Sequence, residues 1–330
     1  MLGPDPERKQ AMTFKIDESM HWTDHYVEYG FATLKGLVDR SFVEEAIEEV
    51  RRFIGEDRPV SEWTQERPKR WHHPFYQDPG RTGWTEQNHT LEKLYDQPRL
   101  RAAIDEMFGD PSAWDGVRNY YIFLNPFDPA GKAALDPLGH IDFKPMVPIL
   151  YRGFTFQIAL LGTEPFGGNT TIYPGTHKLV QQALVQDPMA QMNKDPWHTK
   201  LPRPMETYEF VAEPGDVMFM HHLVYHSGND CHAASRRPRL GLHAEAFRTK
   251  WLTKVDPADP NLSPWERSLA YGGYYEASPQ EADVQKSYRQ ASIPKLEHER
   301  GITIDEKWKR YSDWPDPSAW REAACATAST

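Results

Sequence analysis

The sequence Gly139-His140-Ile141-Asp142-Phe143-Lys144-Pro145 contains a histidine and an aspartate separated by one apolar residue. On a β-strand, successive side chains point to opposite faces, so His140 and Asp142 would share one face and Ile141 would occupy the other. An imidazole beside a carboxylate provides two ligands of a 2-His-1-carboxylate facial triad, which leaves coordination positions open and is typical of non-haem Fe(II) oxygenases. Because His-x-Asp is common by chance, the hypothesis requires a third ligand elsewhere.

A candidate third ligand, His226, follows a short apolar strand that the turn at 214–216 introduces. Arg237 and Arg239 come shortly afterwards, where the last predicted strand begins. A cosubstrate with two carboxylates needs a cation for its distal end, and arginine offers two parallel N–H donors. The order of these residues is therefore compatible with an iron site beside a pocket for a dicarboxylate.

Composition restricts the class of protein. The chain has 330 residues, 39% hydrophobic and 12% aromatic, which is enough for one large domain with a substantial core. A net charge of -10 argues against nucleic acid as a partner. No apolar run is long enough for a membrane span, and the polar N-terminus lacks the apolar core of a signal peptide. With only Cys231 and Cys325, no disulfide framework is expected, which favours a reducing cytoplasm.

The first third of the chain is mainly helical in its periodicity. Residues 1–20 are polar and are predicted to be a flexible lead-in. A short strand at 29–34 precedes an amphipathic helix at about 42–54, and a second helix spans about 91–108. Residues 57–90 have little periodicity and are predicted to form a loop rich in basic and aromatic residues. This loop either packs on the surface or covers an active site.

The middle of the chain is β-rich, with turns between short strands. This spacing is typical of a β-sandwich or jelly roll. A polar segment at 181–206 interrupts it as an insertion or a helical excursion. The predicted strands are 117–124, 154–161, 169–173, 208–212, 217–220 and 239–247.

The sequence after Phe247 is polar and helical in character. Ser-Pro-x-Glu occurs at 263–266 and again at 278–281, which predicts the starts of two short helices. The predicted organisation is therefore a jelly-roll domain at 21–247 and a helical C-terminal extension at 248–330 that ends in a disordered tail.

The order of motifs resembles the phytanoyl-CoA dioxygenase family of Fe(II)/2-oxoglutarate-dependent oxygenases. The resemblance covers about 26–247 and includes several motifs in the same order, which is more specific than any motif alone. The matching residues are His140-Ile141-Asp142, Gly168 with Pro174-Gly175-Thr176-His177, Gly215-Asp216-Val217-Met218-Phe219, His226, and Arg237 or Arg239. The resemblance implies a mainly β fold with flanking helices around a double-stranded β-helix core, a jelly roll of the cupin-like type.

The resemblance also implies a set of ligands and cofactors. His140, Asp142 and His226 would bind Fe(II), and 2-oxoglutarate would bind the metal and an arginine. O₂ would be the oxidant, with ascorbate a candidate reductant. Related halogenases have Gly or Ala in place of the carboxylate, so Asp142 favours hydroxylation or another oxidation of a small molecule, with release of succinate and CO₂.

Two arginines are candidates for the cosubstrate carboxylate. Arg237 has the separation from His226 that is usual in the family, whereas Arg239 better matches the Arg-Pro-Arg pattern at the start of the strand, and we prefer Arg239. The family often has a hydroxyl two residues after the distal histidine, whereas Ser227 lies one residue after it. Gln157 lies on a strand that faces the site and could donate its amide to 2-oxoglutarate or substrate.

Several histidines have simpler interpretations than ligation. His72 and His73 are expected in the loop, His177 is expected to brace its turn, and His221 or His222 is expected to be packed. His243 and Glu245 would share a face with Arg239, and an internal hydrogen bond is the simpler role for them.

Two other functions and the quaternary structure remain open at this stage. The alternatives to an oxygenase are a jelly-roll metalloenzyme of another class, an isomerase or a hydrolase, and a non-catalytic binding module. The expected partner is a small-molecule substrate, with no nucleic acid and no membrane. The oligomeric state is open, and the C-terminal extension is a candidate surface for a homodimer.

Overall fold

A computed structural model describes most of the predicted jelly-roll domain and part of the C-terminal extension. The described residues are 13–53, 57–60, 71–74, 97–125, 139–141, 153–186, 205–229, 231, 237–248, 252, 254–273 and 275–276. Its helices are α1 (Trp22–Tyr29), α2 (Arg40–Phe53), α3 (Pro98–Phe108), α4 (Thr176–Gln186) and α5 (Pro264–Ser268). Its strands are β1 (Phe31–Leu34), β2 (Trp71–Pro74), β3 (Trp114–Asn125), β4 (Gly153–Ala159), β5 (Thr170–Ile172), β6 (Tyr208–Glu209), β7 (Val217–Met220), β8 (His226–Gly228), β9 (Arg239–Arg248), β10 (Lys254–Val255) and β11 (Tyr275–Glu276).

The main strands form two antiparallel sheets. The large sheet has six strands in the order β1-β7-β4-β9-β3-β2, and the small sheet has the order β6-β5-β8. The segment 139–141 extends the small sheet, because His140 bridges to His226 at the free edge of β8. Side chains of β4 and β9 in the large sheet bond directly to Thr170 of β5. The two sheets therefore face each other, which confirms the predicted jelly roll.

The outer face of the large sheet is apolar, and part of its inner face is polar, as strand alternation allows. On β4, Phe154, Phe156 and Ile158 point to the outer face, where they join the main hydrophobic core with residues of α1, α2 and α3. The intervening Thr155 and Gln157 point to the inner face, towards the small sheet, and are buried. Buried polar residues in the middle of a β-sandwich are unusual and indicate a site, since burying them without partners is unfavourable.

The small sheet is covered on its own outer face. Ile141 is buried there with Tyr173, Leu223 and Tyr225, and with Val180 of α4. The apolar residue of the His-x-Asp motif therefore points away from the inner face that holds the polar residues, as the alternation predicts.

Several element boundaries differ from the sequence prediction. The segment 57–90 is not a loop throughout, because β2 pairs with β3 and becomes an edge strand of the large sheet. Its four residues have no alternating pattern, so only the neighbouring strand determines their structure. Helix α3 begins at Pro98, and residues 91–96 of the predicted helix lie outside the described residues. Helix α4 begins at Thr176, earlier than predicted, directly after the turn at 174–175.

The start of the C-terminal extension packs into the helical side of the domain. Helix α5 has the predicted capping box between Ser263 and Glu266. Trp265 is fully buried, and its indole N–H donates to the carbonyl oxygen of Gly153 over 3.0 Å. The extension is not purely helical, since β10 and β11 form a two-stranded sheet. The predicted helix start at 278–281 and the predicted tail lie outside the described residues.

Part of the predicted lead-in also contacts the domain. The ring of Phe14 lies 4.8 Å from the ring of Tyr29, and its backbone N–H donates to the carbonyl oxygen of Thr207 over 2.8 Å. An aromatic side chain in an otherwise polar stretch provides the contact that holds residues 13–20.

Within the residues that the structure describes, none of the helices has the length and apolar character that crossing a bilayer requires.

Candidate active site

Two histidines from separate parts of the sequence meet at one edge of the small sheet. The backbone N–H of His140 donates to the carbonyl oxygen of His226 over 2.7 Å, and the reverse bond is 2.9 Å. Residues that exchange both bonds form a directly opposed pair whose side chains share a face. Their ring centroids are 4.5 Å apart. The structure thus brings together the two predicted histidine ligands, with His226 buried and His140 exposed at the edge.

Gly139 allows this close approach. A Cβ atom at this position would lie 2.3 Å from the carbonyl oxygen of His226 and 2.9 Å from the ring of Tyr225. Both distances are too short for any side chain. The glycine before the His-x-Asp motif is therefore needed so that His140 can pair with His226.

The tautomer of His226 follows from its backbone contact. Its Nδ1 lies 3.1 Å from the carbonyl oxygen of Val224, and a carbonyl oxygen can only accept a hydrogen bond. Nδ1 therefore carries the proton of the neutral ring, and Nε2 presents its lone pair. A backbone carbonyl that fixes the far nitrogen in this way is the usual outer partner of a metal-binding histidine.

The predicted third ligand, Asp142, lies outside the described residues. In the parts of the chain that the structure describes, no three His, Cys, Asp or Glu side chains are grouped to hold a metal. The two described members of the triad nevertheless have the right chemistry for iron, since two imidazoles on one face leave the remaining positions to oxygen ligands.

Arg239 is the second feature of the inner face. Only 7% of this residue is exposed, although it carries a full charge. Its Nη1 donates to the carbonyl oxygen of Gly168 over 3.0 Å, and its guanidinium carbon lies 4.1 Å from the ring centroid of Phe123. The ring can lie there because Gly241 has no side chain, as a Cβ atom would be 2.5 Å from the ring. Arg239 is thus held in one orientation before any ligand binds.

Gln157 and Thr170 complete the surroundings of Arg239. Its Nη2 donates to Oε1 of Gln157 over 2.8 Å and to Oγ1 of Thr170 over 2.9 Å. The Thr170 hydroxyl in turn donates to the same Gln157 oxygen over 2.9 Å. Thr170 lies opposite Gly228, and its second neighbour along β5, Ile172, lies opposite His226. Thr170 and His226 therefore share the inner face of the small sheet.

The other two predicted cosubstrate residues are placed differently. Arg237 is exposed at the surface, before β9 begins. Ser227 pairs with Thr171, on the face of the small sheet opposite to His226. Of the four cosubstrate candidates, the structure brings Arg239 and Gln157 together, and it separates Arg237 and Ser227 from them.

A carboxylate near this cluster is held by other donors. Oε1 of Glu209 accepts from the backbone N–H of Phe166 over 2.7 Å and from the Asn169 amide over 2.9 Å. Burial raises the pKa of Glu209, while these bonds and the charge of Arg239 lower it. Burial has the largest effect, so the pKa of Glu209 is raised overall.

The polar face continues along β9. His243 lies opposite Gln157 and Glu245 opposite Thr155 in the register of β4 and β9, so both lie on the same face as Arg239, as predicted. Both are half-buried. They extend the polar surface from the arginine towards the end of the sheet.

The remaining buried histidines form a separate cluster. His177 and His221 have ring centroids 5.0 Å apart, and His221 stacks on His222 at 4.5 Å. Nε2 of His177 donates to the carbonyl oxygen of Val27 over 3.0 Å, so it caps the end of α1 rather than bracing its own turn. Burial lowers the pKa of His177 to about 3 and that of His221 well below its usual value. His72 and His73, expected in a loop, lie in β2.

Sequence reasoning assigned no role to Thr170 or to Gly139. Gly168 matches a family motif, but the motif does not reveal its contact with Arg239. In the structure, Gly168 has a positive φ of 77°, and its carbonyl oxygen accepts a hydrogen bond from Arg239. A signal for Thr170 was present, since alternation along β5 places it on one face with Ile172, but the partner strand of β5 could not be known.

Comparison with known proteins gives one family match. The sequence profile of the family described as "Phytanoyl-CoA dioxygenase (PhyH)" matches residues 26–238. No curated protein sequence matches the chain significantly.

Comparison with solved structures gives matches of low sequence identity. The "non-heme alpha ketoglutarate dependent epimerase SnoN from nogalamycin biosynthesis" is 19% identical, with 68% of this chain and 79% of that chain covered and a TM-score of 0.47. EvdO2 from Micromonospora carbonacea var. aurantiaca is 15% identical, with 78% and 99% covered and a TM-score of 0.47. HygX from Streptomyces hygroscopicus, solved with nickel and 2-oxoglutarate, is 14% identical, with 80% and 98% covered and a TM-score of 0.46.

Proposed function

Because the chain belongs to the phytanoyl-CoA dioxygenase family, we propose that it is an Fe(II)- and 2-oxoglutarate-dependent oxygenase acting on a small molecule. The observation that carries the proposal is the placement of the His140–His226 pair and the buried Arg239 on the facing inner surfaces of the two sheets. The expected outcome is hydroxylation of an unactivated C–H bond, with release of succinate and CO₂.

The described residues fit these cofactors. His140 and His226 would hold the iron together with Asp142, and the fixed proton on Nδ1 of His226 leaves Nε2 to the metal. Arg239 would bind the distal carboxylate of 2-oxoglutarate through its planar fork. When bound, iron and 2-oxoglutarate supply the oxidising chemistry with O₂.

The protein itself contributes orientation and dryness. The end of the inner space is closed by apolar side chains of both sheets, among them Met218, Met220 and Ile172. Ala159, Phe210 and Ala212 of the same cluster line the cavity beside Arg239, and apolar surroundings strengthen the attraction between the guanidinium and a carboxylate. The orientation of Arg239 is fixed by Gly168 and Phe123, so little side-chain entropy is lost when a ligand binds.

Hydroxylation is favoured over halogenation by the residue type at 142. A carboxylate ligand occupies the position that a halogenase leaves to chloride, and the sequence has aspartate there. The small-molecule substrate, and a homodimer formed through the C-terminal extension, remain predictions from the sequence.

The test is a titration of 2-oxoglutarate against succinate formation at fixed Fe(II). Arg239→Ala should raise the KM for 2-oxoglutarate by about 100-fold or more, because a buried carboxylate then lacks its cation. Arg239→Lys should be nearly as defective, since lysine lacks the fork. The matched control is Arg237→Ala, which removes an exposed arginine two positions away and should leave the KM little changed.

The alternatives give different results in the same experiment. Turnover with Zn(II) or Mn(II) and no succinate would favour an isomerase or hydrolase. Metal-dependent ligand binding without any turnover would favour a binding module. A loss of affinity in Arg237→Ala but not in Arg239→Ala would show that Arg237 is the cosubstrate arginine.

A further inference from the structure

The Nη2 group of Arg239 is the most constrained part of the inner face. It donates to Oε1 of Gln157 at 2.8 Å and to Oγ1 of Thr170 at 2.9 Å. All three side chains are buried, with 7% of Arg239, 7% of Gln157 and 3% of Thr170 exposed. The hydroxyl of Thr170 joins the two other groups by donating to the Gln157 oxygen.

This arrangement determines how a carboxylate can bind. A guanidinium has two edges that bind a carboxylate through two parallel bonds, one formed by Nη1 and Nη2 and the other by Nε and Nη2. Both edges use a proton of Nη2. A carboxylate that binds in this way therefore competes with the oxygens of Gln157 and Thr170 for Nη2.

The two oxygens differ in what they can do next. The Gln157 amide can rotate about its terminal torsion, which moves the oxygen away and brings the two N–H donors of the same group towards the ligand. The Thr170 hydroxyl already donates towards the position of the Gln157 oxygen, and it would donate in the same direction to an arriving carboxylate oxygen. The amide of Gln157 and the hydroxyl of Thr170 would then both donate to the ligand.

We propose that Gln157 and Thr170 are positioning residues of the 2-oxoglutarate pocket, in which the Gln157 carbonyl oxygen occupies the place of a ligand carboxylate oxygen until the ligand binds. This inference rests on the proposed function, since it takes 2-oxoglutarate as the ligand of Arg239. Thr170 supplies the hydroxyl of the pocket, whereas Ser227, the hydroxyl next to His226 in sequence, points to the opposite face. The alternative is a static brace that holds Arg239 and never exchanges with the ligand.

Replacement of Gln157 by glutamate separates these two roles. Gln157→Glu has nearly the same shape and places a permanent carboxylate against Arg239. As a static brace it would bind the arginine at least as well, and the ligand would be weakened only by the repulsion of a neighbouring carboxylate, an effect smaller than direct competition. As a placeholder it would compete with the ligand, so the Kd for 2-oxoglutarate should rise by about 100-fold, the range expected for charged groups that compete for one buried partner.

The Thr170 hydroxyl is tested by an isosteric change. Thr170→Val removes the hydroxyl and keeps the shape, and the Kd for 2-oxoglutarate should rise by about 10-fold to 100-fold, as for a hydrogen bond to a charged group. Thr170→Ser should restore most of the affinity. The matched control is Thr171→Val, a fully buried threonine of the same strand on the opposite face, which should leave the Kd unchanged.

The measurement is calorimetric titration of 2-oxoglutarate into protein loaded with Mn(II), in which no turnover occurs. The Mn(II) affinity and the thermal midpoint of each variant are measured as well.

Wild-type Kd values in Gln157→Glu and Thr170→Val would overturn the inference while the proposed function stands. Absence of 2-oxoglutarate binding by the wild-type protein would overturn both. If Gln157→Glu does not fold, the comparison of Thr170→Val with Thr171→Val decides. In turnover, the KM should rise and kcat at saturating 2-oxoglutarate should be retained.

Discussion

The two groups of histidines on the inner and helical sides of the domain are chemically alike and structurally different. His140 and His226 pair across the edge of the small sheet, and one of them is exposed. His177, His221 and His222 stack in the interior, and at most 1% of each is exposed. A ligand must reach the first group, whereas nothing from solvent reaches the second.

The proton arrangement separates the two groups as well. In the pair, the Val224 carbonyl oxygen fixes the proton of His226 on Nδ1, so Nε2 is the nitrogen that can accept. In the buried cluster, His177 uses its proton to cap α1, and Nδ1 of His221 accepts from the backbone N–H of Leu223. The comparison teaches that accessibility and strand pairing, rather than the number of histidines, identify a metal site.

The largest expected effect is the loss of metal binding when the pair is broken. His226→Ala or His140→Ala should abolish succinate formation. Loss of a residue that hydrogen-bonds to a metal ligand weakens metal binding by about 10-fold to 100-fold, and loss of the ligand itself should weaken Fe(II) binding by more. The thermal midpoint should change little for the exposed His140. The measurement is anaerobic titration with Fe(II).

The matched control for this prediction comes from the buried cluster. His177→Gln can keep the bond to Val27 and should leave Fe(II) affinity unchanged. If His226→Ala binds Fe(II) as tightly as the wild type, the metal site must lie elsewhere. If His177→Gln loses iron and the variants of His226 and His140 do not, the buried cluster would be the metal site.

A smaller effect is expected from Gly139→Ala, which keeps both ligands and disturbs their pairing. The new methyl group would overlap the His226 carbonyl oxygen at 2.3 Å, so the two segments must separate. We expect a loss of about 1–3 kcal/mol in the free energy of unfolding, as for other overpacked sites. Fe(II) affinity should fall together with stability, because His140 moves with its backbone.

Gly175→Ala is a control for the strain of replacing a glycine. Its φ is +77° and nothing lies within 4 Å of the added Cβ atom, so only the conformational cost of about 1–2 kcal/mol applies. Fe(II) affinity should be unchanged in this variant. An unaffected Fe(II) affinity in Gly139→Ala would mean that the close pairing is not required for the metal site.

The sequence was most informative where local periodicity and function agree. Strand alternation correctly placed Ile141 in an apolar cluster, and it correctly placed His243 and Glu245 on one face with Arg239. The jelly roll and the family followed from motif order, and both are confirmed. These features depend on residues close in sequence or on a long series of motifs, so no pairing of strands had to be known.

Other features depend on register between distant segments, which the sequence does not reveal. Thr170 contacts Arg239 only because β5 faces β4 and β9, and β2 exists only because β3 offers a free edge. The close contact at Gly139 likewise depends on the pairing with His226. In each case a residue with no distinctive local pattern gains its role from a neighbour far away in the chain.

The smallest expected effect is a pH dependence of the free energy of unfolding that is caused by the buried histidine cluster. Burial lowers the pKa of His177 to about 3, with a further contribution from Lys178, whereas the unfolded chain has the ordinary value of about 6.5. Between these values the unfolded state binds a proton that the folded state does not. The free energy of unfolding should therefore fall as the pH falls below about 6.5, by about 1.4 kcal/mol per pH unit from this group, until the folded protein is protonated near pH 3.

The change that tests this prediction is His177→Gln, which removes the titrating ring and can keep a donor for the Val27 carbonyl oxygen. The slope of unfolding free energy against pH, measured by urea denaturation between pH 6 and 4.5, should become shallower by about 1.4 kcal/mol per unit relative to the wild type. His221, also buried and with a lowered pKa, remains in the variant and retains its own contribution. In the folded wild type, the NMR signal of the His177 ring should not shift over this range. A ring signal that titrates near pH 6.5, or an unchanged slope in the variant, would show that His177 becomes charged without unfolding and that the cluster is accessible to protons after all.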